Sequence, residues 1–212
     1  MTTTFFLVRH AAHDNVGGWL AGRKPGVRLG PDGRAQAGRL AERMRRERFE
    51  AIHASPRERT QETAAAIAAA CGTSAVATCA DLDEIDFGEW SGKDFDELNR
   101  DPRWREWNEA RGQARTPAGE TMADVRRRLL RCLEGVAAEH REAAVVLVSH
   151  ADVIKTGVCH VLGLPADAWS RFDVEPASIT TIVMGDWGAR LVGLNEVVEL
   201  SLIHISEPTR PY

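Results

Sequence analysis

The sequence predicts an α/β protein with three layers, α/β/α, built on a mostly parallel central sheet, with a helical insertion lying over the strand ends as a lid. Three observations carry this. Short apolar runs recur at residues 4–8, 49–55 and 144–149, each too short for a helix and bounded by polar or turn residues. Segments with apolar residues at helical spacing lie between them. Strand and helix patterns alternate, which calls for crossover connections and a sheet covered on both faces.

The first run, Thr4-Phe5-Phe6-Leu7-Val8, enters Arg9 and His10 directly. A Gly-rich loop follows over residues 17–33 and holds Arg23, Lys24, Pro25 and Arg28. Pro31-Asp32-Gly33 opens a helix with Ala37, Leu40, Ala41 and Met44 on one face. The second strand ends at Ser55. Ser55-Pro56 reads as an N-cap and first-turn proline for a helix that carries Ala64, Ile67, Ala68 and Cys71. Arg59 falls in its first turn, where the helix dipole favours an anion.

A short strand over residues 75–79 leads to a loop, residues 81–92, containing five carboxylates: Asp81, Asp83, Glu84, Asp86 and Glu89. Residues 94–112 read as two short helices in which Trp104 and Trp107 pack one side. After a break at Pro117-Ala118-Gly119, a helix buries Met122, Val125, Leu129, Cys132, Leu133 and Val136. The strand Ala144-Val145-Val146-Leu147-Val148-Ser149 ends in His150, and a helix over residues 153–162 is stopped by Gly163 and Pro165. Residues 178–184 and 190–194 read as two strands joined near Asp186-Trp187-Gly188. One domain over residues 1–199 is expected, with the lid at about residues 81–121. Residues 200–212 continue no pattern and resemble a translated sequencing-library adapter. They are expected to be a non-native or disordered tail and stay outside the fold argument.

The 212 residues, 43% apolar and 27% charged, suit a single globular domain with a substantial core. A net charge of −4 argues against a general nucleic-acid binder, yet leaves room for a locally positive pocket. No apolar run is long enough to span a bilayer. Cys71, Cys79, Cys132 and Cys159 form no C-x-x-C pair, so reduced, mostly buried thiols of a cytoplasmic protein are expected. No segment resembles a secretory leader. The polypeptide is expected to be a monomer or homodimer.

Strands that end in arginine or histidine point to an anion pocket with an imidazole placed to attack the anion, because ligands of open α/β sheets sit at the carboxyl ends of strands. A phosphate monoester fits. Arg9 and Arg59 can bind its oxygens in bidentate fashion, and His150 can add a hydrogen bond. Neutral His10 can accept the phosphoryl group, aided by the arginines that keep it unprotonated. The alkoxide leaving group needs a proton, and the acidic loop around Glu84 is the supply. No cofactor and no metal are expected, since the arginines supply the positive charge that magnesium supplies elsewhere. His13, His53, His140 and His160 read as surface or structural residues.

Leu7-Val8-Arg9-His10-Ala11, Ser55-Pro56-x-x-Arg59-x-x-x-Thr63-Ala64, Leu82-x-Glu84-x-x-x-Gly88-x-Trp90-x-Gly92, Gly119-Glu120-Thr121 and Val148-Ser149-His150 resemble, in order, the blocks of the histidine phosphatase superfamily, the phosphoglycerate-mutase-like proteins. The resemblance covers about residues 5–194. It implies that fold, His10 as phosphorylated nucleophile, Glu84 as proton donor, and Arg9, Arg59 and His150 as the phosphate pocket. Arg57 and Glu89 are set aside by spacing. Ala11 and Ala12 stand where the family often has Gly and Glu, and Asn15 falls one position before the usual asparagine. Asn15 and Arg23 are further candidates for substrate contact. The implied activity is hydrolysis of a small phosphorylated metabolite. A cofactor-dependent phosphoglycerate mutase is the alternative, set back because the segment after the acidic loop is short and lacks a basic Trp-Arg-Arg block. A non-catalytic phospho-ligand or protein binder is the alternative of another class.

Overall fold

The computed structural model describes residues 2–14, 18–73 and 75–198; the expectations for Asn15 and for the 200–212 tail lie outside them. Six strands form one sheet in the order β3-β2-β4-β1-β5-β6. The strands are β1 (Thr2–Arg9), β2 (Ala51–Ala54), β3 (Ala77–Thr78), β4 (Ala144–Ser149), β5 (Ile179–Gly185) and β6 (Gly188–Glu196). From β3 through β2 and β4 to β1 every pairing is parallel, while β5 and β6 add an antiparallel edge. The sheet is thus mostly parallel, as its sequence pattern requires.

Both faces are covered, and β1 shows why. Its side chains alternate, so Phe5 and Leu7 enter one core while Phe6 and Val8 enter the other. Val145 and Leu147 of β4 join the first pair; Val146 and Val148 join the second. The second core is closed by α1 (Pro31–Met44) and α2 (Glu58–Cys71) through Ala37, Leu40, Ala41, Met44, Ala64, Ile67 and Ala68. The first core is closed by α5 (Met122–Glu139) and α6 (Ala151–Val161).

Residues 81–121 carry α3 (Phe95–Arg100) and α4 (Pro102–Glu109), the two short helices read from the sequence. Leu82, Ile85, Phe87, Trp90, Leu98 and Trp107 of this segment belong to the first core. Trp90 and Trp107 are fully buried and meet edge to face, with ring centroids 6.3 Å apart. The segment is therefore anchored by apolar burial as well as lying near the strand ends. Gly88 lets the acidic loop approach residues 117–118. Its φ of +53° is left-handed, and a Cβ there would run into the Pro117 carbonyl oxygen that accepts the Glu89 N–H. Thr121 caps α5: its Oγ1 accepts from the Asp124 N–H at 3.1 Å.

One local expectation is corrected. Ser55 does not cap α2, which starts at Glu58 with Arg57 at the N-cap position and no side-chain cap. The Ser55 hydroxyl turns instead to His150 and Asp83.

Leu147→Ala, at a fully buried position, should lower the unfolding free energy by about 3 kcal/mol. Val192→Ala, on an exposed face of β6, should change it by less than about 0.5 kcal/mol. Urea denaturation of the two variants checks the two-faced core.

Candidate active site

The parallel strands β1, β2 and β4 end side by side, which brings distant residues together. Arg9 is in register with Ser149, and the His10 N–H donates to the Ser149 carbonyl at 3.0 Å. His150 leads into α6. Ser55 follows β2, and Arg59 lies in the first turn of α2. The imidazoles of His10 and His150 have centroids 5.2 Å apart. Sequence reasoning thus places Arg9, His10, Arg59, Glu84 and His150 at one locus, and they meet there.

The hydrogen bonds fix the state of His10. Its Nδ1 donates to the Ala11 carbonyl at 2.8 Å, while Arg59 Nε donates to its Nε2 at 3.2 Å. A nitrogen that accepts from a guanidinium carries a lone pair, so Nε2 is the free nucleophilic atom. Burial, then Arg59 and Arg9, push the His10 pKa well below the usual histidine value. The ring stays neutral without a general base beside it.

Arg59 joins the two rings. Its Nη2 donates to His150 Nδ1 at 3.1 Å and to the Gly22 carbonyl at 2.8 Å. With Nδ1 accepting, His150 Nε2 bears the proton and donates to Ser55 Oγ at 2.8 Å; Ser55 Oγ in turn donates to Asp83 Oδ1 at 3.2 Å. Burial first, then Arg59, hold the His150 pKa well down. Asp83 also pairs with Arg57 Nε at 3.0 Å, so Arg57, set aside by spacing, supports the site from behind.

Four buried guanidinium nitrogens have no hydrogen-bond partner among the described residues: Arg9 Nε, Arg57 Nε, Arg59 Nη1 and Arg111 Nε; of these side chains, Arg9 and Arg59 act electrostatically on His10. Arg9 Nη1 donates to the Val174 carbonyl at 2.6 Å, which fixes the side chain. Buried donors without acceptors are costly, and an anion supplying oxygen atoms would satisfy them.

Glu84 sits at the same place, its Oε2 3.7 Å from His150 Nδ1. Burial and then the nearby Asp152 carboxylate raise its pKa to about 7, although Arg59 pulls the other way. The loop is held from beneath. Arg128, nearly buried on α5, donates to the carbonyls of Asp81 at 2.7 Å and Glu84 at 3.2 Å, and pairs with Glu120 at 3.0 Å. Glu120 also accepts from the Asp86 N–H and from Arg23 Nη2, at 3.0 and 2.9 Å.

Arg23, a candidate for substrate contact, is tied to the acidic loop: Nε donates to the Glu84 carbonyl at 2.7 Å and Nη2 to Glu120 at 2.9 Å, with the side chain still about a third exposed. Glu89 is set apart, pairing with Arg103 at 3.8 Å. His13, read as surface or structural, stacks on His10 with centroids 6.0 Å apart, and burial followed by Arg59 and Arg9 lowers its pKa to about 4. Sequence reasoning missed Ser55, Asp83, Arg128 and His13 as members of the site, and assigned Glu120 no role within its motif. Ser55 stands in the Ser55-Pro56-x-x-Arg59 block and the His10-x-x-His13 spacing hinted at His13, while nothing local singled out Asp83 or Arg128. Among the described residues no group of three or more His, Cys, Asp or Glu side chains could hold a metal ion.

A sheet covered on both faces, with neutral imidazoles and guanidiniums of unused donor capacity at its parallel strand ends, defines an α/β protein whose polar cluster lies where such sheets bind ligands. Comparison with known proteins supplies the rest. The profile of the histidine phosphatase superfamily (branch 1) matches residues 5–197, and the chain belongs to that superfamily. It is 32% identical over 206 residues to phosphoserine phosphatase 1 of Hydrogenobacter thermophilus, spanning 94% of this chain and 95% of that protein. It is 33% identical over 150 residues, 69% of each chain, to a Yersinia pestis protein named probable phosphoglycerate mutase GpmB. Among solved structures, Entamoeba histolytica phosphoserine phosphatase in complex with 3-phosphoglyceric acid superposes with a TM-score of 0.82 at 26% identity, covering 92% of this chain and 98% of that one.

Inorganic phosphate at millimolar concentration should raise the Tm of the protein by occupying the free donors. Arg59→Gln should abolish that rise, and a thermal-shift titration of the two proteins measures it.

Proposed function

We propose that this phosphatase hydrolyses small phosphate monoesters through a phosphohistidine on His10, with Arg9, Arg59 and His150 as the phosphate pocket and Glu84 as proton donor. The observation that carries the reading is the pair of buried, acceptor-less guanidinium nitrogens of Arg9 and Arg59 beside an unprotonated His10 Nε2. A bound phosphoryl group takes both guanidiniums, and Arg59 then releases the Nε2 lone pair. Nε2 attacks phosphorus, the ester P–O bond breaks, and protonated Glu84 gives its proton to the departing alkoxide. In the second half, the Glu84 carboxylate takes a proton from water, the water oxygen attacks phosphorus, and the P–N bond breaks to restore His10. The guanidiniums stabilise charge on the equatorial oxygens in both steps.

The first substrate to try is phosphoserine, because a phosphoserine phosphatase shares 32% identity over nearly the whole chain. The mutase reading draws on a relative matched over a shorter span. The non-catalytic reading loses ground because both His10 and Glu84 are present and poised. Metal independence belongs to the proposal, with the arginines in the charge-stabilising role. So do the wall or lid formed by residues 81–121 and a cytoplasmic setting, which the free thiols fit. Among the described residues no helix is long and apolar enough to cross a membrane.

His10→Ala should lower phosphate release from p-nitrophenyl phosphate by at least about 10³-fold, and rapid-quench labelling should lose the acid-labile phosphoenzyme. An unchanged rate refutes the assignment. Turnover of 3-phosphoglycerate with bisphosphoglycerate exceeding hydrolysis would favour the mutase. Glu84 must be protonated to act, and its pKa is raised to about 7, so kcat/KM should fall as pH rises through about 7. Glu84→Gln should remove that limb and slow alkyl phosphates more than p-nitrophenyl phosphate, whose leaving group needs little proton transfer. Chelation with EDTA should leave the rate unchanged.

A further inference from the structure

The described thiols are not all isolated. Cys79 follows β3 at the start of the 3-10 turn Ala80–Leu82, which leads into the acidic loop. Cys132 lies on the buried face of α5. Their sulfurs are 3.5 Å apart although 53 positions separate them in the chain. Cys71 and Cys159 lie elsewhere, on α2 and α6. A disulfide needs about 2.05 Å between sulfurs, so closing the bond asks for about 1.5 Å of movement.

We propose that Cys79 and Cys132 are a redox pair that a hydroperoxide converts to an intramolecular disulfide restraining the acidic loop. Cys79 is the attacking thiol. It is partly exposed and sits just ahead of the 3-10 turn, whose Asp81 and Leu82 N–H groups favour its thiolate; the Leu82 N–H donates to the Cys79 carbonyl at 3.2 Å. The Cys132 contact and those N–H groups lower its pKa to about 6 against the opposing effect of burial. The same contact first, then burial, push the Cys132 thiol up, which suits it to the resolving role. The Cys79 thiolate attacks one peroxide oxygen, the O–O bond breaks, and the departing hydroxide takes a proton to leave as water. The resulting sulfenic acid is attacked by the Cys132 sulfur; the S–O bond breaks, and the hydroxide carries off the Cys132 proton as a second water. Two thiols and one hydrogen peroxide thus give one disulfide and two waters.

The bond would join two elements that already meet. Arg131, beside Cys132, pairs with Asp81 at 2.5 Å, and Arg128 of the same helix holds the Asp81 and Glu84 carbonyls. Drawing Cys79 toward α5 pulls on the turn that delivers Asp83 and Glu84. The effect on turnover rests on the phosphatase reading; the cross-link does not.

The full-length protein, treated with a small excess of hydrogen peroxide and quenched, should fall from four titratable thiols to two. A peptide map without reductant should show Cys79 joined to Cys132, two hydrogens lighter. Dithiothreitol should reverse the change, and neither Cys79→Ser nor Cys132→Ala should show it. Oxidation should lower kcat on p-nitrophenyl phosphate by about fivefold or more, reversibly, and should leave Cys79→Ser unaffected. A Cys79 that stays reduced, or that cross-links only between molecules, overturns the pair. Equal inhibition of Cys79→Ser, or a complete cross-link with unchanged kcat, overturns the restraint on the loop. A reduced protein that releases no phosphate refutes the phosphatase reading while the peptide map still judges the pair.

Discussion

The site depends on burying one guanidinium between two imidazoles. Arg59 is 1% exposed, and it donates to both His10 and His150 while one of its nitrogens has no acceptor among the described residues. Such an arrangement is expensive for a folded protein, because a buried charge is tolerated only when it is paired and hydrogen-bonded. Here the pairing is partial. The negative side chains nearest the charge, Asp83 and Glu84, are themselves committed, one to Ser55 and Arg57 and the other held near neutrality by burial. The apolar cores on both sides of the sheet offset this cost. The result is a positively charged hollow, with donor capacity on Arg9 and Arg59 that no described residue takes up.

The same economy explains the acidic loop. Five carboxylates within residues 81–92 would repel one another if all faced one hollow. The structure separates them by function. Asp81 is drawn outward by Arg131, and Glu89 faces Arg103. Asp83 supports His150 through a serine, and Asp86 lies 3.7 Å from Arg23. Glu84, its Oε2 3.7 Å from His150 Nδ1, is the carboxyl whose protonated form burial favours. Arg128, Glu120 and Arg23 grip the loop backbone, so the acid's position follows from α5 and not from the loop's own rigidity.

Much of this was readable from sequence. Apolar runs that end in Arg9-His10 and Ser149-His150 announce strands whose termini matter, and helical spacing located the buried faces of α1, α2 and α5. The roles that escaped share a cause: they are set by tertiary neighbours. A serine before a proline has the local grammar of a helix cap, but Ser55 found a histidine 95 positions away. The bonds of Arg23 to the Glu84 carbonyl and to Glu120 span 61 and 97 positions, beyond any local signal. His13 carried no periodic signal, and its stacking on His10 exists only once the loop folds back. The thiols of Cys79 and Cys132, far apart in sequence, meet because the chain passes from β3 toward α5.

β1 feeds two cores by alternation while delivering Arg9 and His10 at its tip. Its length is therefore quantised. Inserting one residue ahead of Arg9 would either exchange the occupants of the two cores, if the tip stays in place, or turn the arginine to the opposite face of the sheet, if the cores do. Inserting two would restore the faces but carry the tip outward by about 6.6 Å, well past its neighbours. The strand therefore tolerates a change of side chain far better than a change of length, which only the loops beyond it can absorb.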